Sequence, residues 1–217
     1  MLSVHGRKPA AVVVEPLAAT LLKVGLTPNW TTLGGTLLTV LVAIVLIPND
    51  HLVCAAILSG LFAAFDMVDG TMARLRGGGT AFGATLDASC DRITDGALFG
   101  AIAFWLVYID QASPVHVAVC LAVLVFSQVI SYVKARAEAG GIKIVGGLVE
   151  RPERLLIGLA ALGLEGFGVP YAIECGLWLL FFGSAYTVAQ RLVIAAKDPA
   201  AKRRIAAPTG AKTFDVS

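Results

Sequence analysis

Charge is scarce in this chain. Asp, Glu, Lys and Arg make up 15% of its 217 residues, while 57% are hydrophobic. A water-soluble globule covers its surface with roughly 25% charged residues, so that class is excluded and lipid must be the solvent. Cysteine is equally sparing: Cys54, Cys90, Cys120 and Cys175 lie far apart with no C-x-x-C pair. That spacing suits neither a disulfide framework nor a zinc site, and all four read as packing residues. His5, His51 and His116 are scattered and define no imidazole cluster. The formal net charge of +2 excludes a strongly basic nucleic-acid binder.

What the chain does have is long apolar runs. A helix crossing the hydrocarbon needs about 20 mostly apolar residues, and candidate spans fall at 31–47, 52–74, 92–109, 115–138, 154–168 and 171–194. The fifth is the weakest, short and rich in Gly and Ala. Arg7 and Lys8 precede an apolar stretch that superficially resembles a signal peptide, but Glu15, Pro16 and Lys23 interrupt it and no small-residue cleavage site follows. An amphipathic helix at about 10–24, lying along the membrane surface, is the better reading. The expected fold is therefore an all-α integral membrane protein: six transmembrane helices plus an N-terminal amphipathic surface helix. Residues 1–30 form the N-terminus with that helix, 31–195 the six-span domain, and 196–217 a tail.

Six spans place both termini on one side. That side collects all 17 Lys and Arg residues, counting the helix ends that border it. The opposite turns, near Pro48–His51, Asp110–Pro114 and Glu165–Gly166, carry none. Positive charge concentrates on the cytoplasmic side, so the termini and the 75–91 and 139–153 connections are expected to face the cytoplasm.

Four aspartates frame one of those connections. Asp66 and Asp69 are three apart near the end of the second span; Asp87 and Asp91 are four apart near the start of the third. Each pair shares a helical face, so two consecutive antiparallel helices can gather four carboxylates just inside the cytoplasmic boundary. Such groups are costly at membrane depth, and divalent cations resolve the conflict. All-oxygen ligation selects a hard ion, foremost Mg²⁺, with Mn²⁺ or Ca²⁺ as alternatives. Two ions suit four carboxylates and displacement at phosphorus. The bland alternative is a solvated network with Arg74, Arg76 and Arg92. Gly70 and Ala73 weigh against it by clearing space beside the acids, where Arg74 could hold a phosphate.

The pattern Asp-x2-Asp-Gly-x2-Ala-Arg-x8-Gly-x3-Asp-x3-Asp over residues 66–91 resembles the signature of the CDP-alcohol phosphotransferases, matching every fixed position. The resemblance implies that Asp66, Asp69 and Asp87 ligate two metal ions, and that Asp91 ligates one or serves as general base. It also implies that Gly70, Arg74 and Thr80 contact the cytidine diphosphate of the donor. Thr27-Pro28-Asn29-Trp30-Thr31-Thr32 resembles the family's Pro-Asn-hydroxyl element, which would add Asn29, Thr31 and Thr32 to the nucleotide site. The same residues also read as an ordinary helix cap. The chemistry implied is attack of an alcohol on the lipid-bearing phosphorus of a CDP-alcohol, with release of CMP.

The acceptor is not fixed by that motif. Ser131, Lys134, Arg136, Arg151, Arg154 and Arg191 cluster at the cytoplasmic ends of the last three spans. Converging cations suit an acceptor that carries its own phosphate; Lys134, Arg154 and Arg191 lie nearest the spans. Positive-inside anchoring and pairing with Glu138, Glu150 and Glu153 is the competing explanation. Within the family, segments 131–140 and 147–154 resemble the actinobacterial phosphatidylinositol-phosphate synthases. That resemblance implies CDP-diacylglycerol as donor, an inositol phosphate as acceptor, and a homodimer in the plasma membrane. A synthase using glycerol 3-phosphate is the nearest alternative. A cation transporter is remote, because its acids would sit near the bilayer midplane within inverted repeats.

Overall fold

The computed structural model of the chain describes residues 7–203; the side chains of residues 7–13 and of Asp66 lie outside that description. Within it the chain is helical, with no strand: α1 (Arg7–Lys23), α2 (Pro28–Leu46), α3 (Leu52–Leu75), α4 (Ala81–Tyr108), α5 (Pro114–Ala139), α6 (Arg151–Gly166), α7 (Ala172–Lys197) and a 3₁₀ turn at Pro199–Lys202. Local chemistry sets the helix starts. Thr27, Thr80 and Ser113 precede α2, α4 and α5, and each side chain accepts a backbone N–H of the first turn. Pro28 and Pro114 occupy first-turn positions, where a missing N–H costs nothing. Glu150 and Glu153 form a reciprocal capping box on α6. Between α3 and α4, Gly77 and Gly78 adopt φ of 90° and 135°, a reversal that side chains with a Cβ resist.

Six helices close into a ring. Around it, α2 packs on α3, α3 on α6, α6 on α7, α7 on α5, α5 on α4, and α4 back on α2. Phe99, Leu106, Val123, Leu162 and Leu180 fill the centre and are almost wholly buried. In lipid, close approach of helices matters more than escape from water. A Cβ at Gly176 would lie 2.6 Å from the Ala161 Cβ, and one at Gly183 would lie 2.6 Å from the Val149 Cγ2. Those glycines let α6 and the preceding loop lie directly on α7. Leu37, Ile57, Val125, Leu179 and Phe182 point outward, exposed on the apolar perimeter. Outside the ring, α1 lies on α3, with Val14 and Ala18 against Val68 and Met72 and with Glu15 and Pro16 exposed.

Among the described residues, four helices are long and apolar enough to cross a membrane: α2, α3, α5 and α7. The chain is thus a multi-pass membrane protein. The other two ring helices, expected from sequence to span as well, fall short of that measure for separate reasons. The first half of α4 carries Asp87, Asp91, Arg92 and Asp95, leaving only Gly96–Tyr108 as an apolar run. The 16 residues of α6 extend about 24 Å at 1.5 Å each, and they begin with Arg151, Glu153 and Arg154. Protein neighbours can shield polar groups at membrane depth that lipid could not. The boundary at 92 also moves: α4 starts at Ala81, because Thr80 caps it and the acidic segment continues the helix. On α4, Gly96 and Gly100 form a small-x-x-x-small pair, and a Cβ built on either would have no heavy atom within 4 Å.

Candidate active site

The motif helices do not pack against each other as consecutive antiparallel helices would. Instead α2 packs on both, and α3 and α4 diverge around a cavity of about 720 Å³. Three segments line it: Thr27, Pro28, Asn29 and Thr32 from the start of α2; Asp69, Gly70 and Ala73 from the end of α3; and, across the glycine turn into α4, Arg76, Gly78, Gly79, Thr80, Ala81, Gly83, Ala84 and Asp87. Two helix N-termini, those of α2 and α4, therefore open onto one space. Their first-turn N–H groups lack intrahelical acceptors, and the helix dipole favours an anion there.

The carboxylates enter from opposite walls. Asp69 is buried, and the Thr32 hydroxyl donates to its Oδ2, tying α2 to α3. Asp87 lines the facing wall and is exposed. Asp91, one turn deeper on α4, is 2.9 Å from the Arg151 Nη1. Asp66 lies on α3 one turn before Asp69, and its side chain is outside the described residues. Among the described residues, no three metal-ligating side chains converge on one point. The donor set still fits a hard divalent cation in kind, since Asp69 and Asp87 present only oxygen to a shared cavity.

Small residues keep the cavity open. A Cβ at Gly83 would meet the Thr80 Oγ1 at 3.1 Å and the Asn29 Oδ1 at 3.2 Å, so glycine there lets the two polar side chains approach. Gly70 leaves room beside Arg74, whose Nη1 would lie 3.7 Å from an added Cβ. Thr80 both lines the cavity and accepts the Gly83 N–H at 2.9 Å.

Comparison with known proteins gives the site its context. Residues 25–164 match the family model for CDP-alcohol phosphatidyltransferases. The chain belongs to the CDP-alcohol phosphatidyltransferase family. It is 64% identical to the phosphatidylinositol phosphate synthase of Corynebacterium glutamicum, covering 98% of this chain and 97% of that one. It is 46% identical to that of Mycobacterium tuberculosis, covering 93% and 94%. The crystal structure of the latter with CDP-DAG bound superposes with a TM-score of 0.86, over 91% of this chain and all of the other. The same enzyme in complex with manganese and citrate gives 0.83, over 89% and 93%.

In this phosphatidyltransferase the structure distributes the sequence-selected residues unevenly. Asn29, Thr32, Asp69, Gly70, Thr80 and Asp87 all line the cavity. Arg74 stands beside it and donates to the Thr71 hydroxyl at 2.7 Å. Thr31 turns aside, donating to the Thr27 carbonyl at 3.2 Å and lying 3.4 Å from the Met72 sulfur. Both readings of the Pro-Asn segment hold at once, since Thr27 caps α2 while Asn29 and Thr32 face the cavity. Arg76 lines the cavity although sequence reasoning placed it only in the competing ion network.

The cations of α5–α7 separate into two groups. Ser131, Lys134 and Arg136 sit at the end of α5; the last two are exposed, and the Ser131 hydroxyl donates to the Ser127 carbonyl at 3.3 Å. Arg154 and Arg191 are buried. Arg191 donates to the Ile130 carbonyl at 2.7 Å, the Glu150 Oε1 at 2.8 Å and the Gly146 carbonyl at 3.3 Å, clamping α5, the loop and α6 onto α7. Arg154 donates to the Asp95 Oδ2 at 2.5 Å. Asp95 is fully buried and also lies 3.6 Å from the Arg92 Nη2 and 4.0 Å from the Arg151 Nε. Sequence reasoning left Asp95 outside the ligand set. Its signal was the spacing Asp87, Asp91, Asp95, four and four on one helical face; its partner Arg154, on a separate helix, carried none.

Proposed function

We propose that this chain transfers the phosphatidyl group of CDP-diacylglycerol to 1D-myo-inositol 3-phosphate, giving phosphatidylinositol phosphate and CMP. One juxtaposition carries the reading: a cavity with two helix N-termini and opposed carboxylates adjoins a basic cluster across Asp91. The donor's diphosphate would occupy the first space, with Asn29, Thr32, Gly70, Arg74 and Thr80 around the nucleotide; Thr31, turned toward Thr27 and Met72, leaves that set. The similarity to a synthase crystallised with CDP-DAG supports that half. Arg92 Nε and Arg154 Nε and Nη1 are buried without hydrogen-bond partners among the described residues. Such a surplus of donors suits an acceptor phosphate, which supports the other half. Ser131, Lys134, Arg136, Arg151, Arg154 and Arg191 form the proposed acceptor set.

The cofactor in this reading is a pair of Mg²⁺ ions, or Mn²⁺, held by Asp66, Asp69, Asp87 and Asp91. Bound there, they would neutralise the diphosphate and make its phosphorus more electrophilic. Asp91 stands between the two substrate spaces, which suits it to take the proton of the attacking inositol hydroxyl. Arg151 fixes the orientation of that carboxylate. Thr32 holds Asp69 so that its second oxygen can face the cavity. All six ring helices would span the membrane, with the site and both termini on the cytoplasmic side and α1 along that surface. The domain division is 1–30, 31–195 and 196–217; the tail beyond Arg203 lies outside the described residues. A homodimer is part of the same reading, and the open face at Gly96 and Gly100 is compatible with it.

The test is CMP release by purified protein with Mg²⁺ and CDP-diacylglycerol. Inositol 3-phosphate, glycerol 3-phosphate and free inositol are compared in parallel, and lipid products are identified by mass. Release with inositol 3-phosphate alone is expected. Preference for glycerol 3-phosphate would retain the donor site and reject the acceptor assignment.

A further inference from the structure

A second polar cavity, of about 500 Å³, lies at the end of the bundle opposite the active site. It is lined from the α4–α5 turn, the start of α5, the end of α6 and the start of α7. Its ionisable lining is Asp110, His116, Glu165 and Glu174. Neither the 109–116 nor the 165–174 segment contains a Lys or Arg, so the space is acidic unless something enters it. Two of the acids at this end already have partners: Glu165 Oε2 accepts the Ile173 N–H at 3.0 Å, and Asp50, in the α2–α3 turn, accepts the Trp105 indole N–H at 2.7 Å. Glu174 is different. It is 8% exposed, its Oε1 lies 3.9 Å from the His116 Nδ1, and its Oε2 has no hydrogen-bond partner among the described residues. A buried carboxylate with one unsatisfied oxygen costs several kcal/mol unless a counter-charge meets it.

The space is large for a bare metal ion, and no three ligating side chains among the described residues share a centre. The exposed Tyr171 ring forms part of the wall and can hold an organic cation over its face. A second cavity of about 500 Å³, lined mainly by Val107, Tyr108, Pro114 and Val117, shares Gln111 and Ala112 with the first. An acidic space thus continues into an apolar one. We infer that this pair of cavities binds a phospholipid carrying a headgroup ammonium, with the ammonium at Glu174 and the adjoining hydrocarbon beside Val117.

The full-length protein, delipidated in detergent, is titrated with acyl-labelled phosphatidylethanolamine and phosphatidylglycerol. Ethanolamine and Zn²⁺ are added separately as competitors. Phosphatidylethanolamine should bind about tenfold more tightly, the scale of one charge-assisted contact, and Glu174→Gln should remove that preference. Val117→Phe narrows the apolar cavity without changing charge and should weaken the lipid while leaving ethanolamine competition unchanged. Thermal melts establish that each variant is folded, independently of transferase activity. Equal binding of the two lipids would overturn the inference, as would an unaltered preference in Glu174→Gln. Complete competition by ethanolamine at the lipid's own concentration would reject a lipid source, and tighter binding of Zn²⁺ would make the site a metal site.

Discussion

Two buried carboxylates sit at opposite ends of the same bundle and are treated in opposite ways. Asp95, fully buried, faces three guanidinium groups from α4 and α6. Glu174, nearly as buried, faces one imidazole at 3.9 Å and keeps an oxygen unsatisfied. The first has an excess of cation around it, so the surplus N–H groups of Arg92 and Arg154 can still serve an anion. The second has a deficit, so it calls for a cation. Net burial says nothing of this; the sign of what remains unpaired does.

The comparison can be broken at either end. The largest effect should come from Asp91→Asn, which is expected to lose about 10²–10⁴-fold in turnover, the worth of a positioned base, while CDP-diacylglycerol binding persists. Single-turnover CMP release beside equilibrium nucleotide binding separates the two, and normal turnover would remove Asp91 as base. Next, Asp95→Asn leaves the buried Arg154 without its carboxylate partner and should destabilise the fold by about 3–5 kcal/mol, seen as a lower melting temperature in detergent. Adding Arg154→Met should recover part of that loss, because it removes the buried charge that the first substitution leaves unpaired; no recovery would mean that the arginine answers to something other than Asp95.

Smaller effects follow. Gly176→Ala drives a methyl into Ala161 and should cost about 1–3 kcal/mol as overpacking of the α6–α7 contact, read from the same melts. Glu174→Gln should leave stability unchanged or raise it by at most about 1 kcal/mol, since it removes a charge that lacks a full partner. A large loss would show that Glu174 is satisfied after all, and the contrast with Asp95 would fall.

Much of the active site was legible in the sequence because its parts are local. Spacings of three and four place Asp66 with Asp69 and Asp87 with Asp91, and helical geometry does the rest. Thr27 and Thr80 could be read as caps from the residues that follow them. What escaped was pairing across long separations. Nothing in the segment around Asp95 identifies Arg154, and nothing around Arg191 identifies the carbonyl of Ile130. The proximity of Arg154 and Arg191 to the spans was visible, and pairing with Glu150, which Arg191 makes, stood among the alternatives; the burial of Arg154 against Asp95 did not. That α2 packs on both α3 and α4 was not legible either, because it is a property of the ring. At the far end, Glu174 sits in an apolar stretch with no motif, and only its neighbours make it notable.

The hydroxyl of Thr80 begins α4 and also forms part of the cavity wall. Anything that fills the cavity therefore settles on the first turn of the helix that carries Asp87, Asp91 and Asp95. Occupancy and helix order then draw on one free energy: a ligand at 100 times its dissociation constant adds about 2.7 kcal/mol to the folded state. With the donor in that cavity, as proposed, the helix would be firmest when the lipid nucleotide is bound, and the substrate would act as a chaperone for the chain that consumes it.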